Sequence, residues 1–184
     1  MKINSGSLLA ALLGVAVAAN AAPLKTDPAK SKVSAVFKQM NVPVEAPFKK
    51  FAAVIDYDAA KPELAKASVE IDTASLDVGD ADMNKEVAKK DWFNAAQYPK
   101  ATFVSSSIKP AGAGKLTVSG KLAIKGKSTD VSFPMTVKTE AGKQVFEGAL
   151  PIKRLTYSIG EGDWKDTSMV ADEVVIKFRV TAGQ

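Results

Sequence analysis

The sequence contains no cysteine and no histidine. Without cysteine no disulfide is available, so the core alone must hold the fold, which a chain of 184 residues is large enough to do. Without histidine the chain lacks the commonest general base, the commonest metal ligand and the side chain that titrates near neutral pH. Ser-His-Asp chemistry and the standard zinc sites are therefore excluded. Arginine is scarce as well: of 25 basic residues only Arg154 and Arg179 are arginine. The net charge of +5 thus comes from scattered lysines. These solubilise a surface but do not make the clustered footprint that grips nucleic acid, so no nucleic-acid partner is expected.

The apolar run from Leu8 to Ala19 is twelve residues, short of the roughly 20 a spanning helix needs. Lys2 precedes it and the small residues Ala19-Asn20-Ala21-Ala22 follow, the build of a cleavable secretory signal peptide. Residues 1–22 are read as that peptide and residues 23–184 as one exported domain, expected in the periplasm. Removing Lys2 leaves a formal charge of 5 − 1 = +4.

Beyond the peptide, two-residue alternation dominates. Phe51, Ala53, Ile55 and Tyr57 fall on one face; Ala67, Val69 and Ile71 alternate with Ser68, Glu70 and Asp72. The same pattern runs through Leu116–Ile124, Val131–Val137 and Val174–Val180. Each stretch fits an antiparallel strand with one buried and one wet face. Turn signals separate them at Ala111-Gly112-Ala113-Gly114, Lys125-Gly126-Lys127 and Glu140-Ala141-Gly142-Lys143. Eight strands are expected: 32–40, 42–57 (bent or broken near Pro47), 66–72, 100–109, 115–125, 128–139, 144–153 and 172–181. That series indicates an all-β barrel or sandwich. One short helix is expected over Asp80–Lys90, where acidic residues open the segment and lysines close it.

Three local patterns resemble chemical sites and fail on inspection. Asp80-x-Asp82-x-Asn84 begins like a calcium loop, but Lys85 stands where such a loop requires Gly, so a capped helix start is the reading. Ser106-Ser107-Ile108-Lys109 spells S-x-x-K, yet residues three apart on a regular strand face opposite ways. Glu70 and Asp72 share a face with Ser68, opposite the apolar side, which places them in water rather than in a catalytic pair. With no nucleophile set beside a base, no enzyme is expected, and no cofactor is required.

Six phrases in order carry a family resemblance: Phe51-Ala-Ala-Val-Ile-Asp-Tyr-Asp58, Ala67-Ser-Val-Glu-Ile-Asp72, Lys90-Asp-Trp-Phe-Asn94, Tyr98-Pro-Lys-Ala-Thr-Phe-Val-Ser105, Leu116-Thr-Val-Ser-Gly-Lys-Leu-Ala-Ile-Lys-Gly126 and Val170-Ala-Asp-Glu-Val-Val-Ile176. Together they resemble the YceI family of exported, lipocalin-like barrels, over about Lys32 to Val180. The resemblance implies an eight-stranded antiparallel barrel enclosing an elongated apolar pocket. It implies a ligand of isoprenoid type, a quinone or a polyprenyl phosphate, and no catalytic motif. On that footing Phe37, Phe51, Phe103, Phe133, Met135 and Phe146 are candidate wall residues, with Trp92, Trp164 and nearby lysines at the mouth. Lys153-Arg154 and Tyr157-Ser-Ile-Gly-Glu-Gly-Asp-Trp164 are similar to a branch found with membrane b-type cytochromes. An accessory role for such a redox partner is the alternative. Many relatives carry histidines near the first strand and in the helix. Here those regions read Val33–Met40 and Asp82–Val87 without any, so no metal or haem role transfers.

Overall fold

The computed structural model describes residues 23–183, and the expected signal peptide, residues 1–22, lies outside them. Ten strands follow in order: β1 (Lys25–Thr26), β2 (Lys32–Gln39), β3 (Val42–Pro47), β4 (Phe51–Asp56), β5 (Lys66–Asp72), β6 (Lys100–Pro110), β7 (Lys115–Ile124), β8 (Lys127–Glu140), β9 (Lys143–Lys153) and β10 (Glu173–Gly183). The helix α1 (Ala81–Val87) lies between β5 and β6.

The ladder runs β3-β2-β10-β9-β8-β7-β6-β5-β4, with β1 paired to β10. Its two ends, β3 and β4, are consecutive pieces of one chain segment. The sheet therefore curls until its ends meet covalently, giving an antiparallel barrel of eight staves in which the bent β3–β4 segment counts once. The count of ten against an expected eight arises from that bend and from the two-residue β1. At the bend the Phe48 N–H still donates to the Val33 carbonyl (2.9 Å), while the Lys49 N–H already donates to Ser75 (3.0 Å) and the Asp72 N–H to Lys50 (3.0 Å). The segment leaves β2 and joins β5 within three residues.

Three hairpins use two-residue turns with both residues at positive φ: Met40-Asn41, Lys125-Gly126 and Ala141-Gly142. That backbone twist matches the right-handed twist of the strands it joins. At the far end of the barrel β1 fills the seam between β10 and β4. Leu24 N–H donates to Ile55 O (2.7 Å) and Thr26 Oγ1 to Ala53 O (2.6 Å). Leu24 is buried there, and Tyr57 packs edge-on against Phe146 with ring centroids 5.3 Å apart.

The helix is shorter than expected. Asp80 caps it, its Oδ1 accepting from the N–H groups of Asp82 (3.0 Å) and Met83 (2.9 Å). It stops at Val87 because the chain then coils through tight turns, with Phe93 N–H donating to Val87 O (3.1 Å), which deliver Trp92 and Phe93 to the interior. Asn84 Nδ2 and Lys49 Nζ both bind the Asp77 carboxylate, at 2.9 and 2.7 Å, so the helix is tied to the β3–β4 bend. These bonds, with a third from the Gly79 N–H, hold the Asp77 carboxyl well below its ordinary range.

A bulge interrupts β6 between Ser105 and Ser107. Alternation does not carry across it, so the expectation that Ser106 and Lys109 face opposite ways does not hold. Both are exposed to solvent, and Ile108 between them is buried. Glu70 is on the wet face as expected, in an ion pair with Lys100.

Candidate functional site

The barrel is hollow. A cavity of about 430 Å³ runs through it, lined by inward side chains from every strand except β1. The wall is apolar apart from Gln39, Asp80, Glu86, Thr102 and Arg154. Several inward residues, among them Val69, Ile71, Phe103, Val174, Ile176 and Phe178, are only half-buried. They pack against the core on one side and face the open lumen on the other, whereas Phe133, Met135, Phe146 and Leu150 are buried.

Of the wall residues expected from the sequence, Phe37, Phe103, Phe133, Met135 and Phe146 all line the cavity. Phe51 does not. The bend at Lys49-Lys50 delivers Phe48 into the lumen instead, edge-on to Phe93 at 6.2 Å, and leaves Phe51 half-buried against the core at the start of β4. Phe48, Phe93 and Phe178 also line the wall and were not in the expected set. For Phe178 the alternation along β10 was signal enough. For Phe48 and Phe93, which lie in a bend and a turn, no periodic signal exists.

Trp92 and Trp164 both reach the cavity, their ring centroids 5.3 Å apart. The cation beside them is not a lysine. Arg154, 2% exposed, sets its guanidinium over the Trp92 ring at 5.8 Å. All five of its N–H groups donate to main-chain carbonyls: Nε to Ala171 (3.1 Å), Nη1 to Ile159 (2.8 Å) and Gly160 (3.1 Å), Nη2 to Trp164 (2.7 Å) and Val170 (2.8 Å). One side chain thus gathers the β9–β10 connection over the end of the barrel. Burial pushes the guanidinium down from its ordinary value, opposed by the nearby Asp172. It stays charged, because arginine titrates far above physiological pH. Lys125, its side chain 7% exposed, adds a clamp by donating to Ser158 O (2.6 Å) and Glu161 (3.0 Å).

The Trp92 Nε1–H is buried and meets no hydrogen-bond acceptor. Such groups are rare and costly, since burial strips their water without replacing it. It lies at the end of the cavity that also carries Arg154, Asp80 and Glu86. At this end three lining residues are themselves exposed, Gln39, Asp80 and Met83, and mark an opening between α1 and the β2–β3 hairpin. Met40 and Val42 at the hairpin tip are 66% and 62% exposed. Met169, also exposed, accepts from the Met40 N–H (2.8 Å). The mouth therefore has an apolar rim, a few polar groups just inside it and a greasy interior beyond. Among the described residues no set of three or more acidic side chains is placed to hold a metal ion.

The YceI-like domain model matches residues 24–182. A UPF0312 protein of Shewanella sp. is 33% identical over 141 residues, covering 73% of this chain and 72% of the relative. The crystal structure of Burkholderia cenocepacia BcnA superposes with a TM-score of 0.84 at 56% identity, over 86% of this chain and 99% of BcnA. A polyisoprenoid binding domain from Saccharophagus degradans, implicated in plant cell wall breakdown, shares the fold with a TM-score of 0.66 at 19% identity. That match covers 88% of this chain and 97% of the domain.

Proposed function

The chain belongs to the YceI-like family, and from that premise we propose that it is a non-enzymatic binding and carrier protein for an isoprenoid lipid in the periplasm. The observation that carries the reading is the lumen of about 430 Å³, apolar along its length and polar only beside its mouth. Removing apolar surface from water is worth about 0.8 kcal/mol per CH₂, so each five-carbon isoprene unit contributes about 4 kcal/mol before ordering costs are set against it. The head group, a quinone or a prenyl phosphate, sits near Trp92 and the mouth, and the tail runs toward the end closed by Leu24 and Tyr57. The unpartnered Trp92 N–H supports this orientation, because an acceptor oxygen on the head group would satisfy it. The exposed Met40 and Met83 at the rim suit transfer from a membrane surface, where flexible apolar side chains adapt to lipid, and Val42 adds apolar area beside them. Support also comes from the fold shared with a polyisoprenoid binding domain. The signal-peptide pattern of residues 1–22 supports the periplasmic address.

Native mass spectrometry of protein purified from the periplasm, followed by organic extraction, tests the proposal. A co-purifying hydrophobic mass with isoprenoid fragments is expected. A barrel that arrives empty and ignores added quinones and prenyl phosphates sinks it. Capture of a membrane b-type cytochrome by such empty protein would favour the accessory role instead.

A further inference from the structure

Phe103, Phe133 and Phe178 form a file of rings, with successive centroids 5.5 and 5.7 Å apart and edge-on contacts at 61° and 79°. They come from β6, β8 and β10. In a ring of eight staves β6 and β10 are four places apart and so stand on opposite walls. The file therefore reaches across the lumen. The two strands between, β7 and β9, present Gly120 and Gly148 on the inner face. A Cβ on Gly148 would lie 2.5 Å from Phe178 Cζ and 3.0 Å from the Pro134 carbonyl oxygen, and one on Gly120 would lie 2.7 Å from Phe103 Cε2 and Cζ and closer still to the Val104 carbonyl oxygen. Two rings of the file thus rest on bare backbone, flat against the wall. A side chain at Gly148 would push the Phe178 ring toward the axis, and one at Gly120 would collide with the main chain of β6 as well as with Phe103.

The other half of the ring is built differently. Phe103 is paired across β5 with Val69, and Val69 across β4 with Ala53. Phe178 is paired across β2 with Val33. Val33, Ala53 and Val69 line the lumen, as do Ala35 and Ala67 nearby. Small side chains on β2, β4 and β5 face the aromatic file.

We propose that the lumen is a one-sided track: a ligand threads between the Phe103–Phe133–Phe178 file and the small residues Val33, Ala53 and Val69, and Gly120 and Gly148 set the width of that passage. The passage admits one flexible chain and refuses a fused-ring lipid of sterol type. The proposal rests on the lumen being a lipid site, as above, and adds which residues decide what enters.

The test is displacement of a fluorescent fatty-acid probe from the mature protein by geranylgeraniol and by cholesterol. The wild type is expected to take geranylgeraniol and not cholesterol. Gly148→Ala, which drives the Phe178 ring off the wall, weakens geranylgeraniol about tenfold, the equivalent of two lost methylene contacts. Phe178→Leu added to Gly148→Ala restores affinity, since the shortened side chain vacates the passage. Ala53→Leu narrows the track from the opposite wall and weakens binding similarly, which keeps the idea open to refutation should Gly148→Ala not fold by circular dichroism. Unchanged geranylgeraniol binding in folded Gly148→Ala or Ala53→Leu overturns the track alone, as does wild-type affinity for cholesterol equal to that for geranylgeraniol. Absence of any geranylgeraniol binding by the wild type removes the lipid reading itself and the track with it.

Discussion

Replacing Arg154 with lysine isolates the value of the guanidinium fork, because the charge remains while the geometry goes. Arg154 donates to five carbonyls, of Ile159, Gly160, Trp164, Val170 and Ala171. A lysine ammonium has three donors, so at least two carbonyls lose their partner. A hydrogen bond to a charged group contributes about 1.5–3 kcal/mol, which puts Arg154→Lys at a cost of about 3 kcal/mol even at the lower figure. Arg154→Met strips all five carbonyls and should cost more, even though no carboxylate is left unpaired by the change. Urea unfolding followed by circular dichroism measures both, with an unchanged m-value showing that the denatured state is not the origin of the effect. Lipid affinity should fall alongside stability, because Ile159, Trp164 and Val170, held by these bonds, are part of the cavity wall. A loss below about 1 kcal/mol for Arg154→Lys would falsify the reasoning, since it would mean that water replaces the fork at no cost.

Two further outcomes follow from the same geometry. Asp77, held low by Lys49, Asn84 and the Gly79 N–H, contributes stability that is present above the unfolded value near pH 4 and is lost as pH falls toward the folded one. Asp77→Asn should therefore be less stable than the wild type at pH 7, with the gap narrowing by pH 3 in urea titrations; a gap that widens on acidification contradicts the assignment. Trp92→Phe deletes an indole N–H that has no partner while keeping a ring beside Arg154 and Trp164, so the lipid-free protein should lose less than about 1 kcal/mol. The same variant should bind a quinone more weakly but a plain hydrocarbon chain equally well, and equal weakening of both would show that the N–H does not serve the head group.

The strands were legible because a half-buried strand writes its period directly into the sequence. From β5 to β10 each observed strand begins and ends within two residues of its expected place. The Phe48–Lys50 bend was foreseen only as a break near Pro47, since what decides it is a change of hydrogen-bonding partner from β2 to β5. The bulge at Ser105–Ser107 left no readable mark for the same kind of reason: it depends on register with β7, not on the local run of serines. Among the expected wall residues, those within regular strands line the cavity, whereas Phe51, on the same face as the lining residues Ala53 and Ile55, falls short of it as the first residue of β4, next to the bend that brings Phe48 in instead.

By itself, then, the sequence determined that this protein is built of alternating strands, that it lacks the histidine and cysteine of many hydrolytic and metal sites, and which residues of the regular strands share a face. Local periodicity and composition suffice for that. Only the tertiary structure decided that the inner face encloses a lumen instead of a filled core, and that Arg154 ties the β9–β10 connection across its mouth. It alone placed Gly120 and Gly148 beneath the rings of Phe103 and Phe178. Those features depend on how a curled sheet closes and how its connections fold over the end, and the periodicity of a single strand records neither.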